Sequence, residues 1–95
     1  MVMNEINAGE VYYVTARKRS PELAEEFLAR LEELPIRLVS NPFSTVLEAA
    51  RIKARFPVSY ADAFAAATAL IEDAAVVTGD PEFARLRNIV EIDWM

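Results

Sequence analysis

The stretch from Ser59 to Asp80 reads SYADAFAAATALIEDAAVVTGD, and its reading decides the fold. Ser59 is a helix start signal. Small apolar residues follow it, Ala61, Ala63, Ala65, Ala66, Ala67 and Ala69 among them. A helix that is apolar almost all round has to be buried on several sides, and alanines let a sheet lie close on one of them. A helix is expected over 59–72, then a strand over 75–78 that stops at Thr78-Gly79-Asp80. This helix–strand unit carries an acid near each end, Asp62 and Asp80. Open α/β sheets bind ligands beyond the carboxyl ends of their strands, which is where Asp80 falls. Carboxylates in such a crevice are costly unless a cation joins them, so the pattern suggests a metal site.

The rest of the chain is compatible with that idea and excludes several others. Ninety-five residues make a single domain, 1–95, and 54% hydrophobic residues suffice for a real core. The absence of cysteine and histidine rules out disulfides, thiolate zinc sites, cysteine nucleophiles and Ser-His-Asp triads. Catalysis, if present, runs on carboxylates, hydroxyls, amines or a metal. A net charge of −5 does not favour bulk electrostatic binding of nucleic acid. Acids gathered around a divalent cation are locally neutralised, however, so RNA is not excluded. With no secretory signal and no segment of membrane-spanning length, the chain is expected to be cytoplasmic and to have no membrane partner.

Taken in order, residues 4–18 fit a helix with Ile6, Tyr13 and Val14 on an inward stripe and Val11 beside it. Glu10 falls on that stripe. It is either a functional group or a residue at the stripe's edge that reaches water or an arginine. Ser20-Pro21-Glu22 starts a second helix with Leu23, Phe27, Leu28, Leu31 and Leu34 as its apolar face, ended by Pro35. A strand is expected over 36–40. A third helix over 42–55 has Val46, Leu47, Ala50 and Ala54 inward. Its basic end, Arg51, Lys53 and Arg55, is either a solvated cap or an RNA-backbone contact. After the decisive stretch come a short helix over 81–86 and a closing strand over 89–92 ending at Trp94. Helices alternating with three short strands mean α/β with a mainly parallel sheet. The chain is expected to begin on a helix.

Each acid has two readings. Asp62 lies three residues after Ser59, as in a capping box, and Asp80 before Pro81 is placed to cap the next helix. Together, Glu10, Asp62 and Asp80 also form a hard-oxygen ligand set of the kind Mg²⁺ takes, suited to in-line attack of water on a phosphodiester. Thr78 either orients the attacking water or simply suits a strand.

Three runs carry a resemblance: Ile6-Asn7-Ala8-Gly9-Glu10-Val11-Tyr12-Tyr13, the run from Ser59 to Ala69, and Val77-Thr78-Gly79-Asp80-Pro81-Glu82-Phe83. In order and spacing, down to Ile92-Asp93-Trp94, the chain resembles a PIN domain, and more narrowly the VapC-type toxins of toxin–antitoxin pairs. The resemblance implies a three-layer α/β/α fold and metal-dependent ribonuclease activity with Mg²⁺ or Mn²⁺ on RNA. It places Glu10, Asp62 and Asp80 on the family's second, third and fourth acidic positions as catalytic metal ligands. Asn7 and Thr78 match nearby polar positions. The family's first strand and first aspartate have no counterpart, so the domain is expected to be N-terminally truncated and its activity weak or absent. Strands 36–40 and 75–78 would then lose a shared neighbour. Exposed strand edges recruit partners, so a homodimer or higher oligomer is expected, with an antitoxin protein as a further partner. The alternative to an active enzyme is a PIN scaffold acting in oligomerisation or antitoxin binding.

Overall fold

The computed structural model describes residues 1–78 and 80–94, and Gly79, where the expected strand 75–78 was to stop, lies outside them. The chain divides into two units, Met1–Ser40 and Asn41–Met95.

The first unit runs β1 (Val2–Asn4), α1 (Glu5–Lys18), α2 (Pro21–Glu33) and β2 (Arg37–Val39). The chain therefore enters on a strand, not on the expected helix. Asn4 is the turning point: it pairs with Val39 at the end of β1, and its Oδ1 accepts the Ile6 N–H at 2.8 Å as the cap of α1. At 2% exposure it is buried through both roles, its amide replacing the hydrogen bonds of water. β1 and β2 are parallel, with Val2 opposite Arg37 and Met3 opposite Leu38. The Ser20 hydroxyl accepts the Leu23 N–H at 3.1 Å, and Pro21 occupies the first turn of α2, as the sequence indicates.

The inward stripe of α1 is not the expected one. Ala8 is buried, whereas Ile6 and Tyr13 are 43% and 49% exposed. The position two residues on from Ile6 lies on the far side of a helix, so Ile6 and Tyr13 face outward, while Val14 of the expected stripe is half-buried. The Arg17 guanidinium lies 5.7 Å from the Tyr13 ring centroid. One turn on from Ala8, the half-buried Tyr12 donates its hydroxyl to the exposed Glu25 of α2 at 2.6 Å. That hydrogen bond, then desolvation and then the Glu25 charge, raise the Tyr12 phenol above its usual value of 10.0. In α2, Ala24 and Leu31 are buried and Phe27 half-buried, while Leu23, Leu28 and Leu34 stay exposed.

The second unit runs α3 (Phe43–Arg55), α4 (Tyr60–Ile71), β3 (Val76–Thr78), a 3-10 helix (Pro81–Leu86) and β4 (Ile92–Trp94). Its core gathers Ala49 and Ile52 from α3, Ala63, Phe64, Ala66 and Ala67 from α4, and Val76, Phe83, Leu86 and Val90 beyond. The reading of α4 holds, with six of its residues buried. In α3 the buried stripe is Thr45, Ala49 and Ile52, one position round from the expected Val46, Leu47, Ala50 and Ala54. Leu47 and Ala54 are exposed.

α4 ends in a Schellman motif: the Ala74 N–H donates to the Ala69 carbonyl at 2.8 Å and the Asp73 N–H to that of Leu70 at 3.4 Å. Asp73 takes the left-handed conformation, φ 52°, that glycine usually supplies there, a region an aspartate tolerates. The turn delivers the chain into β3. β3 pairs in parallel with β4, Val76 opposite Ile92, Val77 opposite Asp93 and Thr78 opposite Trp94. The closing strand therefore begins three residues later than expected, because Ile89 and Val90 still donate to the Leu86 carbonyl, each at 3.0 Å. β2 pairs with β1 and β3 with β4, so each has a neighbour within its own unit. Short parallel strands and abundant helix make this a small α/β fold. No helix among the described residues is long and apolar enough to cross a membrane.

Candidate metal centre

Two of the acids singled out from the sequence meet in the second unit, together with one that was not. A carboxylate oxygen from each of Asp62, Asp80 and Glu82 lies within 4.8 Å of the other two. Asp62 is half-buried, and Asp80 and Glu82 are exposed. Glu10 stands half-buried on α1 in the first unit, with Asn7 one turn before it, also half-buried.

Local structure fixes each acid. Ser59 caps α4 through its hydroxyl, which accepts the Asp62 N–H at 3.1 Å and so sets Asp62 in the first turn. Asp80 follows β3 directly. The Thr78 hydroxyl accepts the Asp80 N–H at 3.0 Å, and Asp80 Oδ1 accepts the Glu82 N–H at 2.9 Å as the cap of the 3-10 helix. One carboxylate oxygen of Asp80 thus turns the chain, and a carboxylate has a second oxygen for another partner. Capping and ligation are compatible uses of the same side chain. Thr78 acquires a role that sequence alone did not give it, since its hydroxyl positions the backbone of Asp80.

The 3-10 helix is held from both sides. Phe83 and Leu86 sit in the core at 5% and 0% exposure. On the wet side Arg85 donates from Nη1 to the Pro57 carbonyl at 2.7 Å, tying this helix to the loop that leads into α4. The same Nη1 lies 3.8 Å from Glu82 Oε1, a partial counter-charge to the acids. Glu82 was legible only as a first-turn acid. What marks it as a site residue is its spacing, two residues beyond a capping aspartate with a proline between them.

The donor set fits a small hard cation. All three groups are carboxylates, the ligands that Mg²⁺ and Mn²⁺ prefer over soft or nitrogen donors. Oxygens about 2.1 Å from an octahedral ion lie roughly 3.0–4.2 Å apart by that geometry. Oxygens that all lie within 4.8 Å of one another are compatible with that spacing. The basic end of α3, by contrast, is used locally. Lys53 Nζ donates to the Val58 carbonyl at 3.1 Å, Arg51 pairs with Glu48 at 3.5 Å, and Arg55 lies over the Phe56 ring.

Comparison with curated proteins finds no match. Comparison with family profiles matches the PIN domain over residues 1–89, nearly the whole chain. That match covers both units and includes Glu10, Asp62, Asp80 and Glu82, and PIN domains generally bind divalent metals and point to nuclease-type function. The chain belongs to the PIN domain family.

Proposed function

We propose that this protein is a metal-dependent endoribonuclease of the VapC toxin type, hydrolysing RNA phosphodiesters with Mg²⁺ or Mn²⁺. The observation that carries the reading is the convergence of Asp62, Asp80 and Glu82 in a chain of PIN family membership. Asp62 and Asp80 would hold the cation, and Glu82 would hold it directly or through water. Bound there, the cation supplies charge neutralisation at the phosphate and activation of water. The chain's own residues do the rest. Hydrolysis adds a water oxygen to phosphorus and breaks one P–O bond, the leaving oxygen ending as a hydroxyl. Thr78 keeps Asp80 in place by accepting its N–H, and its own hydroxyl proton remains available to orient water. Arg85, fixed on Pro57, places a cation beside the acids where an RNA phosphate would approach.

A scaffold role alongside catalysis is favoured by a groove in the first unit. Thr15 and Arg19 at the α1 end, Leu23, Glu26, Phe27, Arg30 and Leu31 of α2, and Leu34 just after it line an open cavity of about 460 Å³. An amphipathic antitoxin helix would lay its apolar face there. Short strand edges would support a homodimer or higher oligomer.

The test of the central activity is cleavage of single-stranded RNA by the wild-type chain in Mn²⁺, beside an Asp62→Asn/Asp80→Asn variant. Cleavage that needs the metal and disappears in the variant is expected. A variant that cleaves as fast as wild type, or wild type that cleaves equally in EDTA, refutes the assignment.

A further inference from the structure

Trp94 is the single tryptophan of the chain, and it ends β4 opposite Thr78. Paired residues of a parallel sheet project from the same face. The row on that face begins with the buried Val76 and the half-buried Ile92, and ends with Thr78 and Trp94. Because the strands are parallel, both residues stand at their carboxyl ends, where α/β sheets place ligands. Thr78 holds the Asp80 N–H, so the indole lies one strand away from the residue that positions the acidic cluster.

An indole at the end of an inward-facing row would ordinarily be covered. Trp94 is 50% exposed. Elsewhere in this unit Tyr60 stacks on Phe64 at 5.0 Å and Arg55 lies over Phe56 at 5.2 Å, while Phe43, at the start of α3, is exposed like Trp94. Among the described residues no ring or cation stacks on the Trp94 indole.

We propose that Trp94 is a stacking platform for one base of a single-stranded RNA whose backbone passes the Asp62–Asp80–Glu82 cluster, an inference that rests on the ribonuclease reading above. A flat apolar face beside a phosphate-handling site is the feature by which proteins hold unpaired bases, and stacking tolerates any base. It would select single strands over duplexes, whose bases are already stacked. Trp94 is in this account a substrate-positioning residue that sets which strand binds and where the chain is presented.

A single tryptophan makes the test direct. A labelled single-stranded oligoribonucleotide is titrated with the wild-type chain in Ca²⁺, reading label anisotropy for binding and intrinsic emission for the indole. Emission quenched in step with the anisotropy rise is expected, with little change for a duplex of the same sequence. Trp94→Ala, checked for folding by circular dichroism, is expected to raise Kd about tenfold, and Trp94→Phe to recover part of the loss. Binding with unchanged emission, together with unaltered affinity in Trp94→Ala, overturns the stacking role and leaves the ribonuclease reading standing. Absence of any anisotropy change with folded wild-type protein overturns that reading and this one with it.

Discussion

Replacing Asp80 by asparagine separates the two uses of that side chain, because asparagine caps a helix about as well as aspartate. The bond to the Glu82 N–H survives the change, and only the charge is lost. In the metal-free protein Asp80 faces two like charges, on Asp62 and Glu82, at up to 4.8 Å. Each pair repels by about 0.9 kcal/mol at that separation in the dielectric of water. Arg85 at 3.8 Å offsets part of the Glu82 share. Solvent exposure and salt reduce the rest, leaving a relief of about 1 kcal/mol at low ionic strength. For a domain of this size that corresponds to a rise of about 4–8 °C in melting temperature. The assay is thermal unfolding by circular dichroism in EDTA at low and high salt, repeated in Mn²⁺. Asp80→Asn is expected to melt above wild type in EDTA, to lose that advantage in high salt, and to gain less than wild type from Mn²⁺. Asp80→Ala also loses the cap, at about 1 kcal/mol, and is expected to fall near or below wild type. An Asp80→Asn variant equal to wild type in EDTA and equally stabilised by Mn²⁺ refutes the reasoning, for Asp80 would then be a cap and nothing more.

Two further predictions concern the scaffold. Ala66, fully buried in α4, has no room or partner for a charge; Ala66→Glu is expected to cost more than about 3 kcal/mol and to abolish cooperative melting near room temperature, and an unchanged melt shows that α4 is not internal. Tyr12 binds its proton more tightly folded than unfolded. Near and above its usual value of 10.0 the unfolded chain therefore releases a proton that the native state keeps, and stability falls as pH rises. Tyr12→Phe is expected to flatten this alkaline loss in denaturant titrations, and an unaltered pH slope contradicts the role of the Glu25 bond.

The parts of the chain that could be read from sequence are those where one local signal dominates. Ser59 and Ser20 both cap helices as their positions suggest, and the alanine run of α4 is buried as its composition requires. Asp62 and Asp80 were legible because they break an otherwise apolar pattern, and they do converge. The errors share a cause. Large apolar residues were expected inward, yet the α-helix positions with no exposure at all are alanines: Ala24, Ala49, Ala63, Ala66 and Ala67. Closely packed helices need small residues at the contact, while Ile6, Tyr13 and Leu34 remain partly in water. That displaced the stripes of α1 and α3. β1 escaped notice because three residues are too few for a period, and its last member, Asn4, looks like part of the helix it caps. Glu82 escaped because a first-turn acid is common; only the fold brings it to Asp62.

The central claim, that these carboxylates hold a divalent cation, is tested most directly by sub-stoichiometric Mn²⁺ added to isotopically labelled protein. Paramagnetic broadening reports which amides lie near the ion. The account predicts early loss of the Asp62, Thr78, Asp80 and Glu82 signals, prevented by Asp62→Asn/Asp80→Asn. Broadening that instead spreads over the exposed glutamates of α2, such as Glu22, Glu25 and Glu26, and persists in the variant would contradict it.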